Sequence, residues 1–239
     1  MLTLLFGTTN PGKLRELRRL VAGLEVRVVS PEELGRPVPE VEEDGATFRE
    51  NADKKAREWA AWSGLHALAD DSGLCVDALG GAPGVHSARW SDLGAGLGPQ
   101  SPVCQLAEAA EAELGPVAGR AARDERNNDK LLRLLAGVPD PERGAGYQAV
   151  LSISAPDGTI LDSVTGTCRG RIGHERRGSE GFGYDPLFIP EAQPGGGAGE
   201  RPRTMAELGA EEKDALSHRG EAFRRLVPVL ARLANARNP

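Results

Sequence analysis

The chain has 239 residues, 39% of them hydrophobic, enough for one sizeable core or two small lobes, so neither a disordered chain nor a fibre is expected. A formal net charge of -6 argues against a surface that grips duplex nucleic acid by neutralising phosphates, yet a few local donors can still hold a small anion. No run approaches the ~20 apolar residues of a membrane span, and Cys75, Cys104 and Cys168, odd in number and without a CxxC pair, fit a reducing cytoplasm better than a disulfide framework.

Leu2 to Phe6 follows Met1 with no basic leader and closes on Gly7, so it reads as a first strand rather than a signal peptide. Lys13 to Val21 places Leu14, Leu17, Leu20 and Val21 at helical spacing, and Val26 to Val29 alternates as a second strand. The Pro-rich acidic stretch Pro31 to Asp44 cannot be a regular helix. Thr47 with Glu50 three residues on predicts a capping box, opening a helix through Ala52, Ala56, Trp59 and Ala60 to Ser63, which Gly64 ends. Leu65 to Ala69 then delivers Asp70-Asp71-Ser72-Gly73 as a strand end, and Leu74 to Leu79 leads to the turn Gly80 to Gly84. Leu93 to Asp124, rich in Gly, Ala and Pro, reads as a surface insertion containing one helix-prone segment, Gln105 to Leu114. Lys130 to Leu135 resumes a helix, and Tyr147 to Ala155 and Ile160 to Arg171 pair as strands across Pro156-Asp157-Gly158. Residues 194–203 form a Gly/Pro-rich flexible loop, and Leu216 to Ala234 closes the chain as an amphipathic helix with Phe223, Leu226, Val227, Leu230 and Leu233 on one face. Strands alternating with helices around a central hairpin predict an α/β fold on a mixed β-sheet with flanking helices, one domain over residues 1–239.

Five clusters carry chemistry. Gly7-Thr8-Thr9-Asn10-Pro11-Gly12-Lys13, between a strand and a helix, offers backbone N–H groups, hydroxyls and an ammonium where a helix dipole favours an anion. It nearly matches a P-loop, but Leu14 stands where the magnesium-binding hydroxyl belongs; a tight turn with a solvated lysine is the plainer reading. Asp70 and Asp71, adjacent on a strand, point to opposite sides, so one can hold a hard cation while the other braces a lysine, although alone they also suit an ordinary acidic turn. Glu42-Glu43-Asp44-Gly45 alone suits a solvated acidic loop. Gly181-Phe182-Gly183-Tyr184-Asp185-Pro186 sets two aromatics in a glycine frame that a flat ligand can approach, and Glu212-Lys213 with Ser217-His218-Arg219-Gly220 leads into the last helix. His66, His86 and His174 show no metal-ligand spacing. Together the clusters supply phosphate donors, magnesium carboxylates, a stacking surface and polar base readers, the parts of a nucleotide site.

The order of these motifs resembles the inosine triphosphate pyrophosphatase family, which hydrolyses non-standard purine nucleoside triphosphates such as ITP, dITP and XTP to the monophosphate and pyrophosphate. The resemblance runs through Thr8 to Lys13, Glu42 to Gly45, Thr47-Phe48 with Glu50-Asn51-Ala52, Ala69 to Gly73, Gly80 to Gly84 with Ser87-Ala88-Arg89, Gly181 to Pro186, and Met205 to Leu208 through Lys213 to Gly220. It implies that Thr8, Thr9, Asn10, Pro11, Gly12, Lys13 and Ser72 contact the triphosphate. Asp71 would activate water and bind Mg2+, supported by Lys13 and Asp70, with Glu42 or Glu43 completing the metal site. Phe182, Gly183, Tyr184, Asp185, His218 and Arg219 would enclose the purine, and Lys213 would touch substrate. It also implies an elongated structure of two lobes around an active-site cleft and a cytoplasmic homodimer, with no nucleic-acid or membrane partner. Residues 93–124 and 194–203 are longer than the family pattern. A P-loop-like phosphotransferase and a nucleotide-binding module without turnover are the competing readings; Leu14 weighs against the first and the Asp70-Asp71 pair against the second.

Overall fold

The computed structural model describes residues 1–93, 119–193 and 201–235; the helix-prone segment at 105–114 and most of the 93–124 and 194–203 stretches lie outside the described residues. The elements are β1 (Leu2–Phe6), α1 (Pro11–Leu20), β2 (Val26–Val29), α2 (Phe48–Ser63), β3 (His66–Val76), α3 (Arg120–Leu134), β4 (Gly144–Ser154), β5 (Ile160–Ile172), β6 (Phe188–Pro190), α4 (Ala210–Leu216) and α5 (His218–Asn235), with short 3-10 turns between them. The strands form one sheet in the order β2-β1-β3-β4-β5-β6. Leu2 to Leu5 run parallel beside Val26 to Val29, and Leu4 to Phe6 run parallel beside His66 to Leu68. β6 is antiparallel to β5, so the sheet is mixed, as the pattern of elements predicts.

The chain divides into two compact units. The first comprises Met1–Ser72, Ala149–Thr167 and Ser217–Pro239; the second comprises Gly73–Gln148 and Cys168–Leu216. In the first unit the alternation of β1 sends Leu2, Leu4 and Phe6 to one face, against Leu17 of α1 and Phe223, Leu226 and Leu230 of α5. Leu5 and Val29 turn the other way, onto Ala56, Trp59 and Ala60 of α2. A strand covered on both faces reads as a near-continuous apolar run, which Leu2 to Phe6 is apart from the half-buried Thr3. Each fully buried Leu or Phe contributes about 1.5–3 kcal/mol relative to exposure. The Gly7 that follows has no substitute, because a Cβ there would lie 2.1 Å from the indole ring of Trp59.

Local chemistry sets the helix starts. Asn10 caps α1, its side chain accepting from the N–H of Gly12, and Pro11 occupies the first helical position, where no amide hydrogen is needed. Thr47 caps α2 by accepting from Glu50 N–H. The reciprocal half of the expected capping box falls one residue earlier, since the Glu50 carboxylate accepts from Ala46 N–H. Three elements differ from expectation. β3 passes straight through Asp70 and Asp71 instead of ending there, because both carboxylates meet buried cations and can sit mid-strand. α3 starts at Arg120, not Lys130, so Arg120 to Asp124 form its first turns and do not belong to an excursion. Its buried face is largely polar, with Asn127, Asn128 and Lys130 beside Leu131 and Leu134, and therefore shows no apolar period upstream. The closing helix begins at His218, after the separate α4, and contains Pro228, which removes one helical hydrogen bond.

The second unit is built around Leu74, Trp90, Leu131, Tyr147, Phe188 and Met205. Arg143 is buried within it and donates to the carbonyls of Leu135, Ile172 and Gly173 at 2.8, 2.8 and 2.7 Å, closing the C-terminal end of α3 onto β5. No described helix is long and apolar enough to cross a membrane. Cys75 and Cys168 are free thiols.

Candidate active site

Asp70 and Asp71 leave β3 on opposite faces and enter different environments within the first unit. The Asp70 carboxylate takes the ammonium of Lys13 at 2.8 Å and the guanidinium of Arg219 at 3.2 Å. Arg219 also reaches Glu16 at 2.6 Å and the hydroxyl of Ser72 at 3.2 Å. Burial alone would push the Asp70 carboxyl up, but Lys13, Arg219 and Lys55 outweigh it and hold the group well below the usual carboxylate range. Asp70 is thus a permanent anion that orders two cations.

Asp71 faces the acidic loop. Its Oδ2 accepts from the Asn51 amide at 3.0 Å and its Oδ1 from Ser72 N–H at 3.0 Å. The Lys55 ammonium lies 3.7 Å from Asp71 and 2.5 Å from Glu43, between the two carboxylates. Burial raises the Asp71 pKa, and Glu43 adds to the shift against the opposing pull of Lys55 and Asn51. Two neighbouring carboxylates are therefore driven apart in proton affinity, the pattern by which a site separates a fixed charge from a group able to exchange a proton. Glu43 is half-buried and paired, whereas Glu42 is exposed.

The loop before α1 presents the remaining donors. Thr8 and Gly12 are half-buried, Thr9 and Pro11 are exposed, and Asn10 is buried. The Asn10 side-chain nitrogen has no hydrogen-bond partner among the described residues. An unpaired buried donor costs about 1–3 kcal/mol, recovered when an anionic oxygen arrives. Leu14 packs against the core and offers no hydroxyl, so the P-loop metal ligand is missing in structure as in sequence.

In the second unit the glycine-framed aromatic segment is held by its neighbours. Asp185 accepts from Phe182 N–H at 2.9 Å, from Lys213 at 2.7 Å and from the Tyr147 hydroxyl at 3.3 Å. The peptide groups of Gly183 are held by α3: Asp124 accepts its N–H at 3.0 Å and Asn128 donates to its carbonyl at 2.9 Å. The Tyr184 ring is buried and its hydroxyl donates to the Ser87 carbonyl, so this residue anchors the segment to the core. Phe182 remains half-buried, with the Arg120 and Lys213 cations 5.4 and 5.0 Å from its ring centroid. His218 and Arg219 open α5 in the first unit, both buried.

Sequence reasoning gave no role to Glu16, Asn51, Lys55, Asp124 or Asn128, although Asn51 lies within the motif Glu50-Asn51-Ala52 that carries the resemblance. The available signal was positional: Asn51 and Lys55 sit four residues apart on the face of α2 that also carries Phe48, Ala52, Ala56 and Trp59, and a polar side chain on a buried face needs a specific partner. Among the described residues no group of three or more His, Cys, Asp or Glu side chains is placed to hold a metal by protein ligands alone.

Known proteins share this arrangement of sequence. A sequence model of the Ham1 family matches residues 4–113 and 106–229. A protein of Anaeromyxobacter dehalogenans named dITP/XTP pyrophosphatase is 74% identical over 231 residues, covering 97% of this chain and 98% of that one. A protein of the same name from Streptomyces avermitilis is 42% identical, covering 98% and 99% of the two chains. Among solved structures, a HAM1 protein from Coxiella burnetii aligns with a TM-score of 0.72 at 35% identity, covering 97% of this chain and all of that one. The nucleoside-triphosphatase / dITP/XTP pyrophosphatase of Mycobacterium abscessus aligns with a TM-score of 0.64 at 38% identity, covering 95% of this chain and 100% of that one.

Proposed function

The chain belongs to the Ham1 family, and on that premise we propose that it hydrolyses the non-standard purine nucleoside triphosphates dITP, ITP and XTP to the monophosphate and pyrophosphate. The observation that carries the site assignment is the split environment of Asp70 and Asp71 beside a loop with an unpaired buried donor at Asn10. Thr8 to Lys13 and Ser72 bind the triphosphate in this reading. Asp70 keeps the Lys13 ammonium in place, and Lys13 neutralises charge that develops on the leaving pyrophosphate. Asp71, held by the Asn51 amide and the Ser72 N–H, orients the attacking water for in-line displacement at the α-phosphorus and can accept its proton as a weak base.

Magnesium is the ion assigned to this site in the same proposal. Two hard carboxylates, Asp71 and Glu43, already face a shared cation in the Lys55 ammonium, and Mg2+ takes one or two carboxylates and fills its shell with water and substrate phosphates. Glu43 is the ligand we favour over the exposed Glu42. When bound, the ion supplies charge neutralisation at the phosphoryl oxygens. Phe182 provides the half-buried ring for the purine, with Asp185 and Lys213 fixing its loop, and His218 and Arg219 are the polar residues assigned to the base. The homodimer implied by the resemblance and a setting in the cytoplasmic nucleotide pool belong to the same proposal. The test is incubation with ITP, dITP, XTP and ATP plus Mg2+, measuring pyrophosphate; release from the first three well above release from ATP is expected, and no release from any of them overturns the proposal.

A further inference from the structure

The residues just before α2 are each tied to that helix: Glu43 to Lys55, Asp44 to Lys54, Gly45 to Asn51 and Ala46 to Glu50. Among these helix partners Asn51 differs in using both ends of one amide. Its Oδ1 accepts from Gly45 N–H at 2.7 Å and its Nδ2 donates to Asp71 Oδ2 at 3.0 Å. The orientation is fixed by chemistry, because a backbone N–H can only donate, so the amide oxygen has to face the loop and the NH2 has to face Asp71. The side chain is buried, 1% exposed, so neither bond is exchanged for water at low cost. Gly45 permits the close approach: a Cβ there would lie 2.7 Å from Asn51 Oδ1 and 2.8 Å from Glu50 Cβ.

We propose that Asn51 is a positioning residue for hydrolysis, setting the orientation of the Asp71 carboxylate and its spacing from the Glu43 loop through one two-ended amide. The inference rests on the pyrophosphatase reading of Asp71 given above. The two hydrogen bonds of the Asn51 amide go to Gly45 and Asp71, not to the residues assigned to triphosphate or base binding, so its loss should lower kcat and leave KM nearly unchanged. A displacement of about 1 Å at a reacting group costs about 10²-fold.

The experiment compares the parent with Asn51→Leu, which keeps the volume and removes both bonds, and with Gly45→Ala, which leaves the amide present but crowds its oxygen. For each, kcat and KM for dITP are measured, thermal unfolding is recorded, and Mn2+ affinity is titrated calorimetrically without nucleotide. Asn51→Leu is expected to lose about 10²-fold in kcat with KM within about threefold, and to bind Mn2+ about tenfold more weakly; Gly45→Ala should shift both in the same direction by less. A folded Asn51→Leu protein that keeps kcat within about threefold, or loses efficiency only through KM, overturns the proposal. If Asn51→Leu fails to fold, the Gly45→Ala protein decides by the same criteria. If the parent itself does not hydrolyse dITP, the functional reading fails, and the Mn2+ titration alone judges the positioning role, with unchanged affinity in the variant refuting it.

Discussion

Replacing Asp70 by leucine tests the electrostatic centre of the first unit. The carboxylate is 1% exposed and pairs with Lys13, 15% exposed, at 2.8 Å and with Arg219, 10% exposed, at 3.2 Å. Arg219 keeps Glu16 at 2.6 Å when Asp70 is removed, so most of the penalty falls on the stranded Lys13 ammonium. Breaking one side of a buried ion pair costs about 3–5 kcal/mol. For a chain of this size that corresponds to a fall in Tm of about 6–20 °C. The pH dependence follows from the direction of the Asp70 shift, which burial opposes and the three cations impose. A carboxyl whose folded pKa lies below its unfolded value of about 3.9 contributes its full stability above that value and loses it as pH falls toward the folded pKa. The difference between parent and Asp70→Leu should therefore be constant from neutral pH down to about pH 5 and shrink below about pH 4. The assay is urea unfolding followed by circular dichroism at several pH values, including the double variant Lys13→Met/Asp70→Leu, in which no ammonium is stranded. The double variant should regain about 2 kcal/mol or more. A loss under about 1 kcal/mol in the single variant, or no recovery in the double, would refute the reasoning.

Asp71→Asn should stay folded by circular dichroism and lose about 10²–10⁴-fold in kcat, and retention of activity within about tenfold would remove Asp71 from the mechanism. Arg219→Ala should cost ITP hydrolysis about 2–4 kcal/mol in kcat/KM and ATP hydrolysis much less, because a guanidinium can only donate and a 6-amino group offers it nothing; equal fractional losses would assign Arg219 to holding Asp70 instead. Asp124→Ala frees the N–H of Gly183 and loosens the segment carrying Phe182, so KM should rise by about tenfold with kcat nearly kept, and the reverse split would show that α3 acts on the chemistry.

The backbone plan was legible where one periodicity dominated. Leu2 to Phe6 and Thr47 to Gly64 each carry a single clear pattern with a cap or a glycine at its end and form the expected elements, and the apolar face from Phe223 to Leu233 lies on a helix as expected, although that helix starts at His218. The pattern failed where burial is achieved by polar groups. α3 buries Asn127 and Asn128, whose amides bond to Ser91, Ser87 and Gly183, and such a face has no apolar period to read. The same limit applies to the site. Asp70 and Asp71 are chemically identical in sequence, and what separates them comes from Lys13 and Arg219 on one side and Asn51, Lys55 and Glu43 on the other. Arg219 and Glu16 are 203 residues apart, a distance at which no local spacing rule operates. Tyr184 was readable as an aromatic near a ligand, but only its buried ring and its bond to Ser87 show that it anchors the segment.

The most direct test of the central claim is the fate of the oxygen atom supplied by water. Hydrolysis of dITP in ¹⁸O-labelled water, with products resolved by mass spectrometry, reports which phosphorus is attacked. Attack at the α-phosphorus predicts one ¹⁸O in the deoxyinosine monophosphate and none in the pyrophosphate, the two products appearing in equal amounts. Label in the pyrophosphate, or release of orthophosphate with a nucleoside diphosphate, would contradict the assignment of this site to α-β bond cleavage.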